Sequence, residues 1–215
     1  LGNLYSSNEI EDELRKANLK FAKIYNIEEK VAEALKNGKV VARFCGKMEF
    51  GPRALGNRSI LYKADDVSVN DWLNKKLKRT EFMPFAPVTI EEYAKKCFNG
   101  WKKEDRSADF MTMTYNCTKE FIKKFPASVH IDKTARPQII RKKLNPKFHR
   151  ILKNYFKKTG ELAIINTSFN RHEEPIVQDI NDALSVLDSN IIKTLIFENY
   201  SIKKKISFFF KQNKY

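Results

Sequence analysis

The residues best suited to chemistry lie in one stretch, Cys45-Gly46-Lys47-Met48-Glu49-Phe50-Gly51-Pro52-Arg53-Ala54-Leu55-Gly56-Asn57-Arg58-Ser59-Ile60. Arginine presents a planar fork of donors that matches phosphate or carboxylate oxygens. Glycine lets the backbone approach a ligand closely. Arg53 and Arg58, framed by Gly51 and Gly56, therefore read as an anion-binding loop with Arg53 facing inward. A glycine-rich turn whose arginines pair with surface carboxylates fits the same residues, and the stretch alone does not choose between the two. Cys45 beside the loop reads as a core cysteine rather than a nucleophile.

Two further clusters could serve the same chemistry. Asn166-Thr167-Ser168-Phe169-Asn170 puts small amide and hydroxyl groups after an apolar run. At the end of a strand in an α/β sheet such groups suit nucleotide recognition, and an ordinary polar turn is the alternative. Lys75-Lys76-Leu77-Lys78-Arg79 could face an anion, or could simply complement the dipole at a helix C-terminus. The three histidines, His130, His149 and His172, form no HxxxH or HExxH pattern, and the three cysteines no CxxC pair. No transition-metal site is expected from that spacing. Scattered cysteines point to free thiols in a reducing, cytoplasmic setting.

These groups need elements to position them. Val40 to Phe44 reads as a strand entering the arginine loop, and Ile60 to Tyr62 as the run leaving it. Ser6 to Asn18 predicts a polar helix with a Ser6/Glu9 capping box. Asn26 and Glu29 predict the cap of a second helix carrying Ile27, Val31 and Leu35, stopped by Gly38. Asp65 or Asp66 caps a third, with Val69, Trp72, Leu73 and Leu77 inward. Pro84 and Pro87 exclude a helix interior, so Phe82 to Ile90 is an extended entry to a strand. Glu91 to Phe98 is a short helix, Asn99 to Asp109 a mobile charged loop, and Asp109 to Tyr115 a weak strand. Gln138 to Ile140 is a strand. Asn145 and Pro146 open a helix whose Phe148, Ile151, Leu152, Tyr155 and Phe156 follow helical spacing up to Gly160. Leu162 to Ile165 is a buried strand ending at the Asn166 cluster. Asp179 caps the last helix, Thr194 to Phe197 is the final strand, and a frayed basic tail follows from Ser201.

Three of these stretches together resemble the NodU-type O-carbamoyltransferases. Met48 to Ile60 is similar to that family's signature, and Pro84-Phe85-Ala86-Pro87 resembles its PFAP. Asn166 to Asn170, followed by Glu174-Pro175-Ile176-Val177, resembles NTSFN…EPIV. Val129 to Arg136 is similar to the family's HVDGTAR, with Lys133 in place of the glycine. The likeness spans residues 1–202 and matches only the family's C-terminal half. It implies a YrdC-like α/β fold, a twisted mixed sheet flanked by helices. It divides the chain into a lead segment (1–25) from a missing N-terminal domain, the YrdC-like domain (26–202) and a basic tail (203–215). It also implies a reaction in which carbamoyl-adenylate is made from carbamoyl phosphate and ATP, with Mg²⁺, for transfer to a hydroxyl-bearing acceptor. The acceptor and a metal belong to the N-terminal half. On this resemblance Arg53, Lys78 and Arg136 are catalytic. Arg58, Arg79, His130, Asn166, Thr167, Ser168 and Asn170 bind substrate and nucleotide. The chain departs from the family in two places. Lys78 and Arg79 are adjacent where the family has Lys-x-Arg, and Met83 stands where it has arginine before PFAP.

Composition narrows the partners. The 215 residues are 42% hydrophobic and 12% aromatic, enough for one domain with a sizeable core. With Leu1 rather than Met at the start, a piece of a longer protein is expected. No run approaches the ~20 apolar residues of a membrane span, so no membrane partner is expected. A net charge of +15 favours anionic partners, although lysines on solvent-facing helix positions produce the same excess. Two other readings share these features: a basic nucleic-acid-binding module of YrdC-like fold, and a threonylcarbamoyl-adenylate synthase.

Overall fold

The computed structural model describes residues 2–76, 84–171, 174–188, 192 and 194–203. In chain order they form α1 (Ser7–Lys16), β1 (Phe21–Lys23), α2 (Ile27–Lys36), β2 (Val41–Phe44), β3 (Arg58–Lys63), α3 (Ser68–Lys76), β4 (Pro87–Ile90) and α4 (Ala94–Cys97). After these come β5 (Tyr115–Asn116), α5 (Lys119–Lys124), β6 (Thr134–Ala135), β7 (Gln138–Ile140) and α6 (Pro146–Thr159). The chain continues through β8 (Ile164–Ser168), α7 (Ile180–Asp188), β9 (Thr194–Phe197) and β10 (Tyr200–Lys203).

Local chemistry sets most helix ends. The Ser6 hydroxyl accepts the Glu9 N–H at 3.3 Å, and the Glu9 carboxylate accepts the Ser6 N–H at 2.7 Å. At the end of α2 the Gly38 N–H donates to Leu35 O and the Lys39 N–H to Ala34 O, both at 2.9 Å, a Schellman turn. The start of α2 differs from expectation, because the Asn26 side chain makes no capping bond. At α6 the Asn145 side chain accepts the Phe148 N–H at 3.1 Å.

Among the described residues, eight strands form the main sheet in the order β1-β10-β9-β2-β3-β8-β4-β7. β2 runs parallel to β9, and β4 parallel to β7, while β3 is antiparallel to both β2 and β8. Adjacent apolar residues along a strand point to opposite faces. Val41, Leu61, Ile140, Ile164 and Ile196 meet Val31 and Leu35 of α2 and Phe148 and Ile151 of α6. Ala42, Ile60, Ile139, Ile165 and Leu195 belong to the opposite cluster, with Ile10, Leu14, Phe121, Ala183 and Leu187. Burial on both faces explains why these strands read as continuous apolar runs.

Several expectations are corrected. The lead segment is part of this core: Ile10 and Leu14 are fully buried, and β1 pairs with β10 through Phe21 and Ile202. Thr194–Phe197 is not the last strand, since Tyr200–Lys203 turns back beside it. Residues 204–215 of the basic tail lie outside the described residues. The charged segment 99–109 is pinned rather than loose. Trp101, Ala108 and Asp109 are buried, and Arg141 grips Asp109 at 3.0 Å, Glu91 at 2.6 Å and the Asp105 carbonyl at 2.9 Å. Asp109 is paired inside the fold by Arg106 and by the distant Arg141, which a linear reading of charge cannot reveal, while Lys102, Lys103 and Glu104 stay exposed. Where a strand was expected after Asp109, Ser107–Phe110 forms a 3-10 turn and Met111 takes φ 57°. β8 starts at Ile164, so Asn166, Thr167 and Ser168 lie inside the strand and not beyond it.

Candidate active site

Topology brings the distant motifs to one end of the sheet. The loop of residues 46–57 joins the end of β2 to the start of β3. Ser59 of β3 pairs with Ser168 at the end of β8. The Asn166 N–H donates to Ala86 O at 3.0 Å, placing residues 84–86 beside it. Gln138 opens β7 two residues after Arg136, and its side chain donates to Leu55 O at 2.8 Å. Arg53, Arg136, Ser168 and Asn170 therefore belong to chain segments gathered at this one end. Lys78 and Arg79, together with Met83, lie outside the described residues.

The loop is held from within by Glu49. One carboxylate oxygen accepts the N–H groups of Leu55, Asn57 and Arg58 at 2.6, 2.6 and 3.1 Å. The base is closed by the Cys45 N–H to Asn57 O bond at 3.0 Å. Arg58 was expected at the substrate, and its position corrects that. It is fully buried, lies 3.5 Å above the Phe44 ring, and donates to the carbonyls of Cys45, Asn57 and Gly46 at 3.1–3.2 Å. Burial draws its pKa below the usual arginine value. It serves the loop's foundation because the Cys45 and Gly46 carbonyls at a tight turn need donors, and it adds a second donor to Asn57 O, which already accepts the Cys45 N–H.

Asn166 has a similar task. It is 1% exposed, and its amide N–H₂ donates to Ala54 O at 3.1 Å and to the Gln138 side chain at 2.7 Å. This chain of amides sews the loop to β8 and β7. Arg43, which the sequence reading passed over, is 3% exposed and donates to Gly56 O while stacking 5.6 Å over Phe148. An arginine inside the apolar run Val40–Phe44 is the signal that could have found it. Asn145 adds a bond to the Asn57 side chain at 3.2 Å.

Arg53 is different. Contrary to the inward orientation expected, it is exposed at the tip with Phe50, Gly51 and Pro52. No hydrogen bond or ion pair engages it among the described residues. The loop thus presents one arginine on a stapled frame. At the same end of the sheet, Ser168 donates to the Asn170 side chain at 2.8 Å, and Asn170 donates to Glu174 O at 2.7 Å. Thr167 is nearly buried within β8. Arg136 is half-buried after the β6 turn. In that turn the His130 ring lies 3.1 Å from the Thr134 hydroxyl, and Asp132 accepts the Thr134 N–H at 2.9 Å.

The turn also explains a departure noted above. Lys133, in the glycine's place, holds φ 66°, a region that costs a bulky residue ~1–2 kcal/mol. Lys133→Gly is expected to stabilise the fold by up to about 1 kcal/mol once glycine's own entropy is subtracted. A thermal melt raised by a few degrees would show it, and a lowered one would contradict it.

Among the described residues neither an activated cysteine nor a metal cage emerges. Burial pushes the Cys97 and Cys117 thiols up to about 12 and raises Cys45 as well, so all three stay protonated at neutral pH. Among the described residues no group of three or more His, Cys, Asp or Glu could hold a metal. None of the described helices is long and apolar enough to cross a membrane. What the arrangement can do is bind anions and order their oxygens.

Known proteins agree with this architecture. Residues 32–204 match the family model described as "Carbamoyltransferase C-terminus". The chain is 41% identical to an uncharacterized protein of Methanocaldococcus jannaschii, over 94% of this chain and 34% of that protein. It is 33% identical to nodulation protein NolO of Bradyrhizobium diazoefficiens, over 84% of this chain and 33% of that one. The chain therefore spans about a third of the length of these relatives. Among solved structures, full-length HypF in its phosphate- and nucleotide-bound form superposes with a TM-score of 0.52 at 21% identity. That match covers 80% of this chain and 21% of HypF. Sua5 of P. abyssi gives 0.51 at 11% identity, over 74% and 42%. Those two likenesses establish the fold, which is the YrdC-like one. On the family model, and on the similarity to the nodulation protein, the chain belongs to the carbamoyltransferase C-terminal family.

Proposed function

We propose that this domain performs the activating half of an O-carbamoyl transfer, making carbamoyl-adenylate from carbamoyl phosphate and ATP. Water releases phosphate from carbamoyl phosphate, and the carbamate oxygen then attacks the α-phosphorus of ATP and expels pyrophosphate. The observation that carries this reading is the clamped loop presenting Arg53 at the sheet end that also gathers Arg136, Ser168 and Asn170. Bringing several negative charges together is the main obstacle in such a reaction, and fixed cations and dipoles lower it. Arg53 and Arg136 would neutralise the phosphates, with Lys78 and Arg79 joining from their own segment. Thr167, Ser168 and Asn170 would order nucleotide oxygens, and His130 would shape the turn before Arg136. Asn166 would act through the loop it holds. Mg²⁺ would come with the triphosphate and be held largely by its oxygens and water. A hydroxyl acceptor and a further metal-binding unit complete the proposal, and three free thiols suit a reducing cytoplasm.

The test is pyrophosphate release by the 215-residue chain with ATP and Mg²⁺, with and without carbamoyl phosphate. Release that depends on carbamoyl phosphate is the expected result, together with no carbamoylated sugar or alcohol by mass spectrometry. Carbamoylation of an acceptor by this chain alone would overturn the division of labour. Release indifferent to carbamoyl phosphate would overturn the activation step.

A further inference from the structure

The root of the loop is gripped by a residue that no motif contains. Glu198 lies in the turn between β9 and β10, where its N–H donates to Phe44 O at 3.0 Å and extends the β2/β9 pairing. It holds φ 45°, a conformation unfavourable to a long side chain. Its side chain is 16% exposed. One carboxylate oxygen accepts the Gly46 N–H; the other accepts Lys147 Nζ at 2.6 Å and the Cys45 thiol at 3.1 Å. Burial acts to raise this carboxyl, but Lys147, the Gly46 amide and the Cys45 thiol outweigh it and keep it below the ordinary range.

The loop has two limbs. The limb at residues 54–57 takes bonds from Arg43, Gln138, Asn145 and Asn166, all outside the loop. The limb at residues 46–53 ends in the exposed tip with Arg53; Glu49 staples it to the other limb, Asn57 donates to Lys47 O at 2.9 Å, and Gly46 takes the Glu198 bond on its N–H and the Arg58 bond on its carbonyl. A strained backbone persists where surrounding contacts over-determine it, and here those contacts are Phe44 O, the Gly46 N–H, the Cys45 thiol and the Lys147 ammonium.

We propose that Glu198 is a positioning residue for Arg53. Through Gly46 it fixes the limb that carries the arginine, and Lys147 fixes Glu198 in turn. This rests on Arg53 being the arginine that meets substrate.

The experiment compares Glu198→Gly, Glu198→Gln and Lys147→Met in the 215-residue chain, with Arg53→Ala alongside. Amide hydrogen exchange of peptides covering residues 46–53 is read without substrate. Thermal melts and the kcat and KM for carbamoyl phosphate in the pyrophosphate assay are read in parallel. Glu198→Gly relieves the backbone, so its melt should stay within about 3 °C of the parent. Exchange over 46–53 should nevertheless rise at least about tenfold, with peptides of α6 and β8 unchanged. The kcat/KM for carbamoyl phosphate should fall about tenfold. Glu198→Gln keeps an acceptor for Gly46 and should restore most of the protection, with Lys147→Met falling between. Unchanged exchange over 46–53 in Glu198→Gly would overturn the proposal, as would loss of protection spread evenly over the chain. Raised exchange with an unchanged kcat/KM, while Arg53→Ala abolishes release, would overturn its bearing on the reaction. Should Arg53→Ala also leave release intact, the assignment of Arg53 fails, and with it the claim that Glu198 positions a substrate residue.

Discussion

Arg53→Ala is expected to remove carbamoyl-phosphate-dependent pyrophosphate release while leaving the fold intact. The side chain is exposed and engages no described neighbour, so the folded state loses no contact with it. Surface changes of this kind usually shift stability by less than about 0.5 kcal/mol. The transition state loses far more. A charge-assisted bond to substrate is worth about 1.5–3 kcal/mol, and an arginine stabilising a transferring phosphoryl group about 10³–10⁵ in rate. A loss of about 10²-fold or more in kcat/KM with an unchanged melt is the expected pair of results. Unchanged turnover and unchanged carbamoyl phosphate affinity would remove Arg53 from the site. Arg58 supplies the contrast. Its replacement should unfold the loop and lower the melt, because the Cys45 and Gly46 carbonyls and the Phe44 face lose their partner and Asn57 O loses its second donor.

Gly56→Ala should carry the largest stability cost of the simple substitutions in this loop. Gly56 holds φ 116°, and an added Cβ would lie 2.7 Å from Cε1 and 3.1 Å from Cγ of Phe148. That ring cannot retreat, since Phe148 is fully buried between α6 and the sheet. Backbone strain of about 1–3 kcal/mol and overpacking of about 1–3 kcal/mol combine to roughly 2–6 kcal/mol. Denaturant unfolding would measure it. Gly51→Ala is the control: φ is 100° but no atom lies within 4 Å of the added Cβ, so only the strain remains. Equal costs at the two positions would contradict the role given to Phe148. Smaller clash at Gly56 with Phe148→Leu, read as a coupling energy, would support it.

Much of this was legible in the chain. The capping box at Ser6, the Gly38 stop and the Asn145–Pro146 start are short-range arrangements that depend on a few neighbours. Helical spacing from Phe148 to Tyr155 and the apolar runs at residues 41–44 and 194–197 marked core elements correctly. The family likeness rested on Met48–Ile60, Pro84–Pro87 and Asn166–Asn170, and all three segments meet at one end of the sheet.

What residue type left open was the division of labour among similar groups. Arg53 and Arg58 are five positions apart in one loop, yet one is exposed and the other fully buried. Their fates depend on which carbonyls the turn leaves without partners, and that follows from how β2 and β3 close over Phe44. The same holds for Asn166, which clamps the loop because β7 and β8 bring Gln138 and Ala54 within 3.1 Å. The β1/β10 pairing, which joins Phe21 to Ile202 from opposite ends of the chain, left no local mark, so both chain ends were read as appendages. Glu198 is the extreme case: its backbone bonds to Phe44 and its carboxylate to Gly46, contacts more than 150 positions away. The sequence by itself determined the elements, the family and the types of group available for an anion. Only the tertiary structure decided which arginine is held out and which residues hold it there, because desolvation and hydrogen-bond supply are set by long-range neighbours.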